Sequence, residues 1–251
     1  MRRIFLSLAA LLSVASPAAL AATLTVAVAA NVQYTFDDLQ AAFRKETGHE
    51  LKPVYSSSGK LTAQIMNGAP FDVFLSADME YPEKLHQAGF AAAAPKVYAL
   101  GTLVLWTMKD IDLSNWQQVL AAPGTGKIAV ANPKTAPYGR ETMKVLARFK
   151  LEEALKGRLV YGESISQTNQ YIHSKAADAG FTAKSVVASP EMKGQGKWID
   201  LPREAYEPIA QGMVVLKHGE QTNAQVAQQF LEFMRSTTAR GILERNGYLL
   251  P

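Results

Sequence analysis

Cysteine is absent from this sequence of 251 residues, and its absence removes several ways of stabilising or anchoring a protein. No disulfide can form, and no lipid can be attached to a cysteine behind a leader peptide. Thiolate ligands for a metal cation are missing as well. The four histidines do not replace them, because their spacing does not fit a set of metal ligands. They are His49, His86, His173 and His218. We therefore expect no metal-cation site, no resident cofactor, and a fold that depends on its hydrophobic core.

Neither sign of charge dominates the sequence. There are 26 basic and 22 acidic residues, which gives a formal net charge of +4. Arg2 and Arg3 lie in an N-terminal leader, and its removal leaves 24 basic residues against 22 acidic ones. A weakly basic mature chain does not indicate a nucleic-acid partner.

Long hydrophobic runs are also absent, with one exception at the N-terminus. Residues 4–14 are almost wholly apolar, and Ala19-Leu20-Ala21 offers a small-x-small cleavage site behind them. This pattern predicts a cleaved signal peptide over residues 1–21. No other run approaches the roughly 20 apolar residues that a membrane-spanning helix needs. Without a cysteine anchor, the mature chain is expected to be free in the periplasm.

The first half of the remaining chain alternates strand and helix patterns. A β-branched strand at 24–29 precedes a helix whose apolar residues include Phe36 and Phe43, and an extended segment ending at Tyr55 runs into a second helix. A third strand is predicted at 71–77. Such β-α-β order predicts a parallel sheet covered by helices, in which ligands bind beyond the carboxyl ends of the strands.

The second half repeats this order. Strands are predicted at residues 100–106, 127–131, 159–161, 181–188, 198–201 and 209–215. We predict an α/β protein with two Rossmann-like lobes, built from residues 22–100 plus 210–251 and from residues 101–209. The chain would cross twice between them, near Gly101 and near 206–209, which would form a hinge that lets the lobes close on a ligand.

Several polar groups are predicted at starts of helices that directly follow strands. Ser58 is expected as the N-cap of its helix, Asn31 lies at or beside another helix start, and Tyr138 and Ser164 stand at helix starts in the second half. Free N–H groups at such termini bind anions. The ordinary alternative is that each side chain caps its own helix or packs in the core.

One enzyme motif also fits the sequence. Ser57-Ser58-Gly59-Lys60 reads Ser-x-x-Lys, the nucleophile motif of penicillin-recognising serine enzymes, with Ser57 as the nucleophile. The partner motifs Ser-Asp-Asn and Lys-Thr-Gly occur nowhere in the chain. We therefore expect a protein that is not an enzyme, and a serine acyl-transfer enzyme is the least favoured alternative.

Over essentially the whole mature chain, these motifs resemble the periplasmic molybdate-binding protein of ABC importers, a type II substrate-binding protein. The markers are Ala29-Ala30-Asn31, the serine cluster with Gly59-Lys60-Leu61, and the run Gly68-Ala69-Pro70-Phe71-Asp72 that continues to Ser76-Ala77-Asp78. The resemblance implies a monomer that captures molybdate or tungstate and delivers it to an inner-membrane ABC permease.

The resemblance also implies a ligand site, which would consist of Ala30, Asn31, Ser58, Tyr138 and Ile165. Many members of the family have serine at the position of Asn31, and tyrosine at the position of Ala183. In a second branch of the family, the tyrosine is supplied from the position of Tyr138.

The chemistry of these positions agrees with the resemblance. Molybdate near neutral pH is a dianion that only accepts hydrogen bonds, so a site of donors suits it and a buried carboxylate would repel it. None of the site positions is acidic. The alternative binding function is a receptor for another oxyanion, namely sulfate, phosphate or a phosphonate.

Overall fold

The computed structural model describes residues 21–251, so the predicted signal peptide lies outside the described residues, apart from Ala21. The elements, in chain order, are β1 Thr23–Ala29, α1 Gln33–Thr47, β2 Glu50–Ser56, α2 Ser58–Met66, β3 Val73–Leu75, α3 Glu80–Gln87, β4 Lys96–Gly101, β5 Leu103–Thr107, α4 Trp116–Ala121, β6 Ile128–Ala131, α5 Pro137–Arg148, β7 Leu159–Gly162, α6 Ile165–His173, β8 Ala179–Ala183, α7 Lys184–Val187, β9 Lys197–Asp200, β10 Ile209–Val215, α8 Lys217–Thr222, α9 Ala224–Phe233 and α10 Thr237–Arg245. No helix within 21–251 is both long and apolar enough to cross a membrane.

The strands form two five-stranded sheets, one in each lobe. The first sheet has the order β2-β1-β3-β10-β4, and the second has the order β7-β6-β8-β5-β9. The predicted parallel pairing is correct for β1 with β2 and β3, and β6 pairs in parallel with β7 and β8. It is wrong for β10 and β5, which run antiparallel to their neighbours. Both sheets are therefore mixed.

The antiparallel strands belong to the segments that pass between the sheets. The prediction of one strand over 100–106 is wrong, because Thr102 separates β4 in the first sheet from β5 in the second. The return passage covers residues 201–208, between β9 and β10. The first strand after each passage, β5 or β10, runs antiparallel to its neighbours in the sheet that it joins. This explains why both sheets are mixed.

Two further differences lie near the ends of strands. The predicted strand at 181–188 ends at Ala183 and continues as α7, although Val186 and Val187 favour a strand pattern. A tertiary contact favours the turn, since the Ser185 hydroxyl donates to the backbone oxygen of Asn31 at 2.8 Å. The polar helix α8 has no apolar periodicity that would reveal it in the sequence.

The hydrophobic core of the first lobe lies between its sheet and helices α1, α9 and α10. Phe36, Leu39 and Phe43 are buried on α1, as predicted. The Phe43 ring packs edge-on against Phe230 at a centroid distance of 5.2 Å and lies 5.4 Å from Phe233. The C-terminal helices thereby attach to the first lobe and hold the ends of the chain together.

Candidate functional site

A small enclosed cavity lies between the two lobes, at the carboxyl ends of strands from both sheets. The space open to the centre of a water molecule is about 10 Å³. The five predicted site residues all line this cavity, which is bounded by Ala29, Ala30, Asn31, Ser57, Ser58, Ala77, Ala136, Pro137, Tyr138 and Ile165. A site of this size fits one compact ion and no larger solute.

Ser58 is the first residue of α2, and the prediction that it caps this helix is wrong. The N-cap is Ser57, whose φ of −69° and ψ of 149° are extended rather than helical. The Ser58 hydroxyl oxygen accepts a hydrogen bond from the backbone N–H of Ala77 at 2.9 Å. Because that bond occupies a lone pair, the hydroxyl proton of Ser58 remains available to an acceptor in the cavity.

Ser57 has an unusual environment for a helix-capping serine. The residue is 3% exposed, and its hydroxyl has no hydrogen-bond partner among residues 21–251. Lys60, the second member of the Ser-x-x-Lys motif, pairs instead with Glu163 at 2.8 Å. No base therefore contacts the Ser57 hydroxyl within the described chain, and the geometry does not support an acyl-transfer nucleophile.

Asn31 lies in a 3₁₀ turn, Ala30–Val32, between β1 and α1. Its side-chain amide donates to the Gln211 side-chain oxygen at 2.8 Å and to the Tyr248 hydroxyl at 3.0 Å. The Asn31 side chain is thus held by neighbouring side chains of its own lobe. Its amide group therefore already donates two hydrogen bonds within the protein.

Tyr138 reaches the cavity from the first turn of α5, which begins at Pro137. The residue is 1% exposed, and its hydroxyl makes no hydrogen bond of good geometry within 21–251, although the Asn31 side chain lies beside it. Burial raises the pKa of Tyr138 well above its ordinary value, so the phenol remains a neutral donor. A β-carbon at Gly101 would lie 2.1 Å from the Tyr138 hydroxyl, so the chain passage between the lobes requires glycine there. Ala183, by contrast, is buried at the end of β8 and does not line the cavity.

Three helices begin at the cavity, and backbone N–H groups at their N-termini are free. The first N–H groups of a helix have no acceptor within that helix. In residues 21–251, no acceptor is present for the N–H of Ser58, Tyr138 or Ile165 at the starts of α2, α5 and α6. Ser164 caps α6 as predicted, accepting from the Gln167 N–H at 3.4 Å. The converging helix starts favour a negatively charged ligand.

Charged residues lie around the cavity but do not line it. Lys60 and Glu163 form an ion pair between the lobes, and Arg140 contacts Asp78 and also Glu80 at 3.2 Å. Within the described chain, no cluster of three or more His, Asp or Glu side chains could hold a metal cation. An anion in the cavity would therefore meet neutral hydrogen-bond donors and no positively charged side chain.

The lobes also touch directly beside the cavity. The Gly59 N–H donates to the backbone oxygen of Thr135 at 2.9 Å, and the Ser166 hydroxyl donates to Gln33 at 2.6 Å. A β-carbon at Gly59 would lie 2.7 Å from the Tyr81 hydroxyl and 3.0 Å from Thr135. These contacts describe a closed arrangement of the two lobes.

Known proteins resemble this chain over nearly its whole length. The profile of the family described as bacterial extracellular solute-binding protein matches residues 24–249. The molybdate-binding protein ModA of Azotobacter vinelandii is 39% identical over 92% of this chain and 91% of its own length. A protein of the same name from Rhodobacter capsulatus is 36% identical over 97% of this chain and 94% of its own length.

Solved structures agree with these relatives. The Azotobacter vinelandii periplasmic molybdate-binding protein has a TM-score of 0.86 at 38% identity and covers 91% of this chain and 99% of its own. The sulfate-binding protein SubI of Mycobacterium tuberculosis shares the fold alone, with a TM-score of 0.76 at 14% identity over 90% of this chain and 86% of its own. The predicted two-lobed α/β fold and the non-enzymatic class are confirmed. The chain belongs to the bacterial extracellular solute-binding proteins and, among them, to the molybdate-binding ModA proteins.

Proposed function

We propose that this protein captures molybdate in the cavity between its lobes and delivers it to an ABC importer. The observation that carries this proposal is a cavity lined only by neutral residues, with unpartnered donors among these residues and no carboxylate. An anion that cannot donate a hydrogen bond suits such a site. The site has no carboxylate that would need a hydrogen bond from the ligand and would be left without one.

The ligand would be held by hydrogen bonds from both lobes. We assign these to the hydroxyls of Ser58 and Tyr138 and to the backbone N–H groups of Asn31, Ser58, Tyr138 and Ile165, with Ala30 in contact. Helix starts add partial positive charge, which compensates for the missing counter-charge. A hydrogen bond to a charged group is typically worth about 1.5–3 kcal/mol.

The small volume of the cavity supports a compact tetrahedral oxyanion. Molybdate and tungstate have the same charge and shape, and we propose that both bind. Relatives named as molybdate-binding proteins support the choice of molybdate over sulfate, because they are far more similar to this chain than the sulfate-binding neighbour.

The transport role implies further properties that follow from the proposal. We place the protein in the periplasm after removal of a signal peptide over 1–21, as a monomer without a lipid anchor, a resident cofactor or a nucleic-acid partner. The lobes are assigned to residues 22–100 plus 210–251 and to residues 101–209. Their closure around the anion would present a surface of both lobes to the permease.

Calorimetric titration tests the ligand class. The purified protein is titrated with molybdate, tungstate, sulfate and phosphate, and the series is repeated with Ser58→Ala. We expect tight binding of molybdate and tungstate alone, weakened about 10- to 100-fold by loss of one charge-assisted hydrogen bond. Tight binding of sulfate or phosphate instead would overturn the molybdate assignment and keep an oxyanion receptor.

A further inference from the structure

The hydroxyl of Ser57 is the one hydroxyl group among the cavity-lining residues that the site assigned above does not use. It is enclosed, with 3% of the residue exposed, and it has no hydrogen-bond partner within residues 21–251. Buried hydroxyl groups nearly always have a partner, because an unsatisfied one costs the free energy of its lost hydration. This orphan group therefore requires an explanation.

The usual explanation, helix capping, does not apply. Ser57 occupies the N-cap position of α2 with suitable extended backbone angles, yet its side chain accepts no hydrogen bond from the helix. A capping serine normally accepts from the second or third N–H of its helix. Here the N–H of Gly59, the second residue of α2, donates to Thr135 in the other lobe at 2.9 Å. Contact between the lobes thus takes one of the two donors that a capping Ser57 would use, and the side chain does not accept from the other, the N–H of Lys60.

We infer that the Ser57 hydroxyl donates a hydrogen bond to the bound oxyanion and is a further affinity-determining residue of the site. This inference rests on the proposed function. Ser57 lines the cavity beside Ser58, together with Tyr138 and Ile165 at the helix starts of the other lobe. The first lobe then supplies two adjacent hydroxyl donors and the second lobe supplies one, which distributes donors around a tetrahedral ion.

The alternative role of Ser57 is purely structural, and two substitutions separate the two roles. Ser57→Ala removes both the hydroxyl and a favourable capping residue. Ser57→Gly removes the hydroxyl, but glycine is nearly as good at an N-cap. A structural role predicts that alanine lowers stability more than glycine and that neither changes affinity. A ligand role predicts that both weaken binding equally.

Thr35→Val provides a matched control. The Thr35 hydroxyl is also buried without a partner among the described residues, but Thr35 does not line the cavity. Its replacement by valine keeps the shape of the side chain. This variant should bind molybdate as the unmodified protein does.

The experiment measures the molybdate dissociation constant by calorimetry for the four proteins, together with thermal unfolding without ligand. We expect Ser57→Ala and Ser57→Gly each to weaken binding about 10- to 100-fold, while Thr35→Val leaves it unchanged. Unchanged affinity in both Ser57 variants would overturn the inference and leave the proposed function intact. Failure of the unmodified protein to bind molybdate would overturn the proposed function, and this inference with it.

Discussion

Gly59 offers a direct test of whether the contact between the lobes controls ligand affinity. A β-carbon at this position would lie 2.7 Å from the Tyr81 hydroxyl and 3.0 Å from both the α-carbon and the oxygen of Thr135. The Tyr81 hydroxyl can move aside, whereas the Thr135 contacts involve backbone of the opposite lobe. Gly59→Ala should therefore obstruct the closed arrangement and leave each lobe unchanged.

The size of the effect follows from the cost of overpacking. Inserting a methyl group into a tight contact costs about 1–3 kcal/mol. If the obstruction exists only when the lobes are closed, the whole cost appears in binding, which weakens by roughly 5- to 150-fold. Without ligand, the opposite sign is expected, because alanine is more favourable than glycine in a helix by up to about 1 kcal/mol.

The assay compares molybdate titration and unliganded thermal unfolding for Gly59→Ala and for a control, Gly124→Ala. A β-carbon at Gly124 would meet nothing within 4 Å, and its backbone does not require glycine. Gly59→Ala should lose affinity without losing stability, and Gly124→Ala should change neither greatly. Unchanged affinity in Gly59→Ala would refute the reasoning, as would a loss of stability that accounts for the weaker binding.

Three further predictions concern the cavity and the core. Tyr138→Phe should weaken molybdate binding about 10- to 100-fold in a titration, while the unliganded protein unfolds no earlier, because the lost hydroxyl has no internal partner; an unchanged dissociation constant would contradict its role as a donor. Burial raises the pKa of Tyr138 well above its ordinary value of 10. The phenol is therefore a neutral donor at every pH below its raised pKa, and it loses its proton only when the pH rises through that pKa. The dissociation constant should thus stay constant between about pH 6 and 9 and rise only above about pH 10, and a fall in affinity near pH 7 would indicate a titrating group that the cavity does not contain. Phe230→Ala removes a fully buried ring that packs against Phe36 and Phe43, and chemical denaturation should show a loss of about 3–5 kcal/mol, whereas a loss below about 1 kcal/mol would contradict the assigned core.

The architecture could be predicted from local patterns because most elements carry their own signals. The period of Phe36, Leu39 and Phe43 predicts α1, and Gly48 with a φ of 75° ends it, as is typical of glycine after a helix. The β-branched residues of β1 predict a strand equally well. The resemblance to a known family was confirmed by relatives that cover nearly the whole chain.

Other features depend on tertiary contacts and were not predictable. The crossing near Gly101 was predicted, but the sequence does not show that the apolar run 100–106 is divided at Thr102 into strands of two sheets. The sequence places a run of serines at the start of α2, but the assignment of Ser57 rather than Ser58 as the N-cap depends on backbone angles. The hydrogen bonds that hold the Asn31 side chain come from Gln211 and Tyr248, far away in the chain. Residue types alone do not reveal which donors remain free for a ligand.

The measurement that tests the central claim most directly is the crystal structure of the protein grown with molybdate, with the anomalous scattering of molybdenum recorded. The account predicts a single strong anomalous peak in the cavity, within hydrogen-bond distance (through the oxyanion oxygens) of the Ser58 and Tyr138 hydroxyls, with no carboxylate in contact. A peak outside this cavity, or a peak held by acidic or basic side chains, would contradict it.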